Sequence, residues 1–230
     1  MGANATTSVP VYASSEVLTA ANLNITNSGI PVFATTVTRD AAFGGAGEKT
    51  LAEGQFAYIE ATNTTQFYDG AAWIALGNKL GQVVSTTKTD TYTMSSQTYT
   101  TVTGLTATIT PTSATSKIYI VGSLSGVGDV GVTRGMARLV RDSTALAVGD
   151  TAGSRVSGTV QLPISESGDV FSQTLTFLDS PSSTSALVYG IQIRLNDSGA
   201  TIYVNRSKGD GNTVSDARVV STITVMEILA

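Results

Sequence analysis

From residue 85 onward the chain alternates apolar and hydroxyl side chains over short stretches, and each stretch ends at a turn signal. In Leu105-Thr106-Ala107-Thr108-Ile109-Thr110 every second side chain is apolar, and Pro111 stops the run. A period of two places the apolar residues on one face of a strand, whereas a helix needs a period near 3.6. Similar runs occupy 97–102, 117–121, 136–141, 145–148, 159–162, 173–178, 187–195, 201–205 and 219–228. Asp142-Ser143 and Asn196-Asp197-Ser198-Gly199 are tight-turn sequences between neighbouring runs. Many short strands without helical periodicity or an exact internal repeat predict an all-β fold. Its main part is an antiparallel, jelly-roll-like β-sandwich over 85–230.

The first third of the chain differs. In Gln66-Phe67-Tyr68-Asp69-Gly70-Ala71-Ala72-Trp73-Ile74 two β-forming pairs flank Asp69-Gly70, a strong hairpin signal. The stretch 53–60 reads as another short strand, 31–34 opens one more, 37–43 follows it, and Gly44-Gly45-Ala46-Gly47 is a flexible loop. The predicted organisation is therefore an N-terminal arm over 1–30, a small β-hairpin module over 31–79, a linker over 80–84 and the sandwich over 85–230. In the arm, Ser14-Ser15 offers an N-cap and 16–24 suits about two helical turns. Val17, Leu18, Ala21 and Leu23 would form its apolar face. Two turns are not stable alone in water, so this face docks either on its own domain or on another protein of an assembly. A module of this size with few large apolar groups is marginal as a monomer. Phe56, Phe67, Tyr68 and Trp73 are therefore expected to bury against copies of the same chain.

Composition excludes whole classes of function. The 230 residues contain no Cys and no His. Disulfides, Cys/His zinc sites and every Ser-His or Cys-His catalytic pair are absent. Charged residues make up 13%, about half the usual share, and Thr, Ser, Gly and Ala take their place. The 13 basic residues are scattered and the formal net charge is −4. Nucleic acid, which needs clustered cations to displace its counterions, is an unexpected partner. No apolar run approaches the roughly 18 residues of a membrane helix, so no membrane partner is expected. The N-terminus lacks a basic region followed by an apolar core, so no secretory signal peptide is expected either. Met1-Gly2-Ala3-Asn4-Ala5-Thr6 fits an N-myristoylation pattern, and it is equally a common neutral start.

Several lines of sequence resemble bacteriophage tail fibres and minor tail proteins. Glu53-Gly54-Gln55-Phe56 followed by Tyr68-Asp69-Gly70 and Trp73 looks like a small module of such proteins. Residues 17–24 (VLTAANLN) and 32–43 (Val-Phe-Ala, then Arg-Asp-Ala-Ala-Phe) are similar to lines in minor tail proteins of actinobacterial phages. The stretch 99–118, Ile202-Tyr203-Val204-Asn205, and 221–228 resemble C-terminal domains of phage fibre and virion structural proteins. The resemblance covers most of the chain. It implies a virion structural protein made in the host cytoplasm. Its expected role is that of a tail fibre or receptor-binding homotrimer, with a trimeric neck in 31–79 and an arm docked to other phage structural proteins. A host surface glycan is the implied target. A capsid decoration protein or head fibre has the same architecture and stays open.

No motif points to catalysis, and no enzyme activity or cofactor is expected. Gly44 to Thr50 has the flavour of a phosphate loop, but Glu48 separates the glycine from Lys49 and breaks the required spacing. Asp129, Asp142, Asp150, Glu166, Asp169, Asp179, Asp197, Asp210 and Asp216 sit beside Gly or Ser, where Asp favours turns, rather than as a glycosidase pair. Asp210-Gly211-Asn212 with Asp216 lacks the order and closing Glu of a calcium loop, and no metal site is expected. Asn24-Ile25-Thr26 and Asn63-Thr64-Thr65 are sequons without meaning outside a secretory pathway. Tyr119, Tyr189 and Tyr203 lie in strands, where packing is their ordinary role. Loops carry recognition more often, so the polar loop 206–213, with Arg206, Lys208, Asp210 and Asn212, is the expected receptor contact.

Overall fold

The computed structural model describes residues 29–45, 49–77, 79–129, 134–165 and 168–229. Val17, Leu18, Ala21 and Leu23 of the expected docking arm lie outside them. The chain divides into two compact units, Met1–Asn78 and Lys79–Ala230.

The first unit holds one sheet in the order β1 (Val32–Phe33), β2 (Phe56–Ile59), β3 (Thr64–Tyr68) and β4 (Trp73–Ala75). The first pair is parallel and the others are antiparallel. Residues 36–40 are not extended: Thr36–Asp40 forms one helical turn, α1. A reciprocal capping box explains it, with the Thr38 backbone N–H donating to Thr35 Oγ1 at 3.2 Å and the Thr35 N–H to Thr38 Oγ1 at 3.0 Å. This local bonding outweighs the β preference of the Thr-Val-Thr run. Phe33, Ala42, Ala57 and Ile59 are fully buried, and Phe43 and Trp73 pack on them. Asp69 closes the hairpin as expected, its carboxylate accepting from the Ala71 and Ala72 N–H groups at 2.9 and 2.7 Å. Those two bonds hold the Asp69 carboxyl below its ordinary pKa. Gly70 supplies the φ of +96° that the turn requires.

The second unit is an all-β sandwich. One sheet runs β10 (Thr144–Leu146), β9 (Gly135–Arg141), β14 (Leu187–Leu195), β7 (Thr100–Ile109), with β11 (Val160–Leu162) beside β9. The other runs β5 (Leu80–Lys88), β16 (Ser221–Ile228), β8 (Lys117–Asp129), β15 (Ile202–Val204), β6 (Tyr92–Met94). In that sheet β12 (Ile164–Ser165) and β13 (Phe171–Asp179) also pair with β8. Residues 80–84 are therefore not a linker. They open β5, which pairs with β16 from Leu80↔Ile228 to Lys88↔Ser221. Every inward position of β16 is buried, as its alternation requires.

One core joins the two sheets. Leu105, Ile109, Leu139, Tyr189, Ile191 and Ile193 come from the first, and Ile118, Ile120, Leu124, Leu175, Ile223 and Val225 from the second. Packing across the layers is close enough that a Cβ on Gly122 would lie 2.9 Å from Ile191 Cδ1. Residues 97–109, expected as two strands, hold one continuous strand from Thr100. It bulges opposite Gly190–Gln192, where Gly104 has φ +78°.

Candidate functional site

The loop expected to touch a receptor is organised by its own side chains. β15 ends at Asn205, which is buried in the left-handed region at φ +62°. Its amide donates to the Lys88 and Asp90 carbonyls at 2.8 and 2.9 Å, and its side-chain oxygen accepts from Ser221 Oγ at 2.6 Å. Ser221 Oγ in turn accepts from the Ser125 N–H at 3.0 Å. Beyond this anchor Arg206 stacks on Tyr203, 4.6 Å from the ring centre, and pairs with Asp210, which also pairs with Arg218. Asp216 accepts from Ser207 Oγ at 2.9 Å, the Gly211 N–H at 2.9 Å and Thr213 Oγ1 at 3.0 Å. The hydrogen bonds from Ser207 and Thr213 lead in holding its carboxyl below the usual range. Two of the four expected contacts, Arg206 and Asp210, thus spend their charge on each other, while Asn212 remains exposed. Val214, which sequence reasoning passed over, is fully exposed in this loop.

The four aromatics expected at an oligomer interface divide between the two faces of the small sheet. Tyr68 and Trp73 are cross-strand partners with ring centres 5.7 Å apart, and both face the unit's own core. Trp73 also packs on Phe43 at 5.8 Å and lies under the Arg39 guanidinium at 4.7 Å. Arg39 is itself buried, bound to Asp40 at 2.6 Å and to the Gln66 side chain. Trp73 therefore packs, partly buried, on the unit's own core, because the strand period turns it away from Phe67. Phe56 and Phe67 pair on the opposite face, with Ile74 beyond Phe67. Phe56 is 40% exposed, Ile74 41% and Leu76 54%. With Val32, Tyr58 and Thr65 these residues make a sheet face without a charged side chain.

A second face, bordered by the exposed Lys117 and otherwise lined by apolar and hydroxyl side chains, lies on the sandwich. Cross-strand register aligns Val83, Met226, Tyr119 and Leu178 in one row. The next row is Ser85, Thr224, Val121 and Thr176, with Ser85 and Thr224 hydroxyls 2.8 Å apart.

The outer side of the other sheet is different. Tyr99 carries the Arg138 guanidinium 3.9 Å and the Arg194 guanidinium 5.7 Å from its ring centre. Its hydroxyl donates to the Ser157 carbonyl at 2.7 Å. Burial raises the Tyr99 pKa against the opposing pull of the two arginines. Arg138 also donates to Gln192 Oε1 at 2.9 Å and Arg194 to the Leu195 carbonyl at 2.9 Å. Met136, which register places opposite Arg194, lines an open cleft of about 650 Å³ together with Arg155, Gln161, Asn196 and Asp197. No sequence signal marked this cleft, because its residues come from three separate stretches.

Of the carboxylates weighed for hydrolysis, Asp142, Asp179, Asp210 and Asp216 hold up backbone or pair with hydroxyls and cations. Asp179 is buried, bound by Arg141 at 2.6 Å and by the Tyr189 hydroxyl at 2.7 Å. Burial and that carboxylate together raise the Tyr189 hydroxyl pKa. Asp142, at φ +50°, accepts from the Val188 N–H at 3.0 Å. Glu227, in the last strand, is fully buried and accepts from Thr112 N–H at 2.6 Å, Thr112 Oγ1 at 2.7 Å and Gln82 at 3.2 Å. Burial pushes its pKa up, but these hydrogen bonds outweigh burial and hold it below the ordinary value. Among the described residues no group of three acidic, His or Cys side chains is placed to hold a metal ion. No helix there is long and apolar enough to cross a membrane.

No protein-family model and no curated protein matches this chain. Solved structures of infectious bursal disease virus are similar. The Gt strain structure aligns over 72% of this chain and 44% of that chain at 15% identity and a TM-score of 0.36. The D431N mutant VP2 protein, as T=1 particles, aligns over 75% and 47% at 15% identity and a TM-score of 0.35. A VP2 subviral particle aligns over 73% and 47% at 16% identity and a TM-score of 0.35. The chain spans less than half the length of these structures.

Proposed function

We propose that this chain is a structural protein of a bacteriophage particle, acting by binding rather than by catalysis. Its finer role is that of a tail fibre or receptor-binding protein that attaches to the host surface as a homotrimer. The observation that carries this reading is the uncharged outer face of the small sheet, centred on Phe56, Phe67, Ile74 and Leu76. Exposed apolar area of this kind marks a surface made to be covered, and a unit whose fully buried core, among the described residues, is Phe33, Ala42, Ala57 and Ile59 gains stability when copies cover it. The sequence resemblance to phage fibre proteins supports the same reading. The hydroxyl-rich, sparsely charged sandwich face supports a second one, a capsid decoration protein or head fibre, since a lattice cement must not repel its neighbours.

Immunogold labelling of intact particles with antibody to residues 85–230 tests the proposal. Label at the tail tip supports the receptor-binding role, label over the head supports decoration, and unlabelled particles refute both. A monomer mass at micromolar concentration in analytical ultracentrifugation refutes the homotrimer.

A further inference from the structure

The geometry points to the cleft beside Tyr99 as a binding site for an acidic saccharide, and this rests on the receptor-binding reading above. The chain carries a net charge of −4 and only 13 basic residues, yet Arg138 and Arg194 meet on the outer side of one sheet, and a loop brings Arg155 to the cleft lined by Met136, the cross-strand partner of Arg194. Arg138 and Arg194 share the Tyr99 ring, and Arg155 lines the adjoining cleft. Among the described residues none of the three pairs with a carboxylate. Each keeps guanidinium N–H groups for a ligand, while Arg206 and Arg218 of the 206–218 loop both pair with Asp210. Guanidinium groups held by stacking are pre-ordered for a carboxylate or phosphate oxygen, which lowers the entropy lost on binding.

Charge alone would suit any anion, and the rest of the lining narrows the class. Gln161, Asn196 and Asp197 bring amide donors, amide acceptors and a carboxylate to the same cleft. A carboxylate beside arginines disfavours a compact, highly charged anion, but it accepts hydrogen bonds from hydroxyl groups. The Asn196 side-chain oxygen is buried without a hydrogen-bond partner, an acceptor that a ligand hydroxyl can satisfy once the amide rotates. Met136 and Val156 add the apolar surface that the C–H face of a pyranose ring covers. An anionic group for arginine, hydroxyls for amides and carboxylate, and a C–H face for Met136 together describe a uronic-acid-type sugar. The strand register Arg194↔Met136 and Met136↔Gln161 sets the floor of the cleft on three adjacent strands, and the loops that carry Arg155, Val156, Asn196 and Asp197 wall it.

The test is titration calorimetry on the full chain with an oligogalacturonate hexamer, a neutral maltohexaose and inorganic phosphate, each at low and at physiological salt. Saturable binding of oligogalacturonate is expected, weakened by salt, and stronger than that of maltohexaose by on the order of tenfold or more. Arg155→Glu, at an exposed position where the fold is not at stake, should lower the affinity by on the order of tenfold. Gln161→Ala should weaken it with an unchanged melting curve. The inference is overturned by no binding, by equal binding of maltohexaose, by phosphate binding as tightly as oligogalacturonate, or by affinity that survives Arg155→Glu. Particle labelling does not depend on sugar binding. Labelled particles without oligogalacturonate binding sink this site alone, and binding by a protein absent from particles sinks the virion reading alone.

Discussion

Replacing Asn205 by Ala should destabilise the sandwich by about 3–5 kcal/mol. The side chain fills a buried position and makes all three of its hydrogen bonds inside the protein, to the Lys88 and Asp90 carbonyls and to Ser221 Oγ. Alanine leaves the Lys88 carbonyl and the Ser221 hydroxyl short of partners, at about 1–2 kcal/mol each, while the Asp90 carbonyl, beside an exposed side chain, turns to water. The φ of +62° adds about 1 kcal/mol for a residue with a Cβ and no local side-chain bond. For a unit of this size the sum lowers the melting temperature by about 10 °C or more. Far-UV circular dichroism of urea and thermal unfolding is the assay, because the single Trp, Trp73, sits in the other unit and reports only on that one. Two further variants separate the causes. Asn205→Gly keeps the lost hydrogen bonds but removes the strain, so it should be about 1 kcal/mol less damaging than Ala. Asn205→Asp faces two carbonyls with a carboxylate, which raises its folded pKa above the unfolded value near 3.9, so this variant should gain stability as pH falls. An Ala variant within about 1 kcal/mol of the parent, or an Asp variant indifferent to pH, would refute the reasoning.

Glu227→Gln should cost about 1–3 kcal/mol, since the amide offers one acceptor where the carboxylate receives Thr112 and Gln82. Because the folded Glu227 pKa lies below its unfolded value, the carboxylate stabilises the fold above about pH 4.5 and that contribution fades as pH falls through the lower folded value. Parent and variant stabilities measured by urea unfolding should therefore converge on acidification, and parallel curves would contradict this. Arg39→Ala should shift Trp73 fluorescence to the red, because the stacked guanidinium and its bond to Gln66 shield the indole. An unchanged emission maximum would show that Trp73 does not depend on that cover.

The strand pattern of the sandwich was legible because its side chains obey the period of two. In 221–228 each second residue is buried, and Asp142-Ser143 joins two paired strands as a turn sequence should. Residues 80–84 misled because β5 is an edge strand. Leu80 and Val83 point outward and stay exposed, so no clean apolar alternation shows. Its partner lies about 140 residues away, and a window of sequence carries no trace of that pairing. Aromatic content marked the small sheet as important but could not say which face each ring would take. The buried Arg39 was equally invisible, since only the tertiary fold brings Trp73 and Gln66 around it. The loop 206–213 looked like a free polar contact because Arg218, which neutralises Asp210, lies outside it. The basic residues are scattered along the sequence and form no cluster there. Strand pairing gathers Arg138 and Arg194 onto one ring although 56 positions separate them.

The place of β16 between β5 and β8 also bears on how the chain comes to be folded. Strand Leu80–Lys88 and strand Lys117–Asp129 are not neighbours; Ser221–Ile228 lies between them and hydrogen-bonds to both. Until a ribosome has released residue 228, the second sheet has a gap at its centre and β8 offers one open edge. Closing that gap joins segments more than 90 residues apart, which makes the final step a slow, non-local one. During synthesis the nascent sandwich is therefore an open sheet looking for a strand. A matching β16 from a neighbouring copy would fill the gap as well as its own, so refolding at high protein concentration should favour strand-exchanged assemblies over monomeric sandwiches.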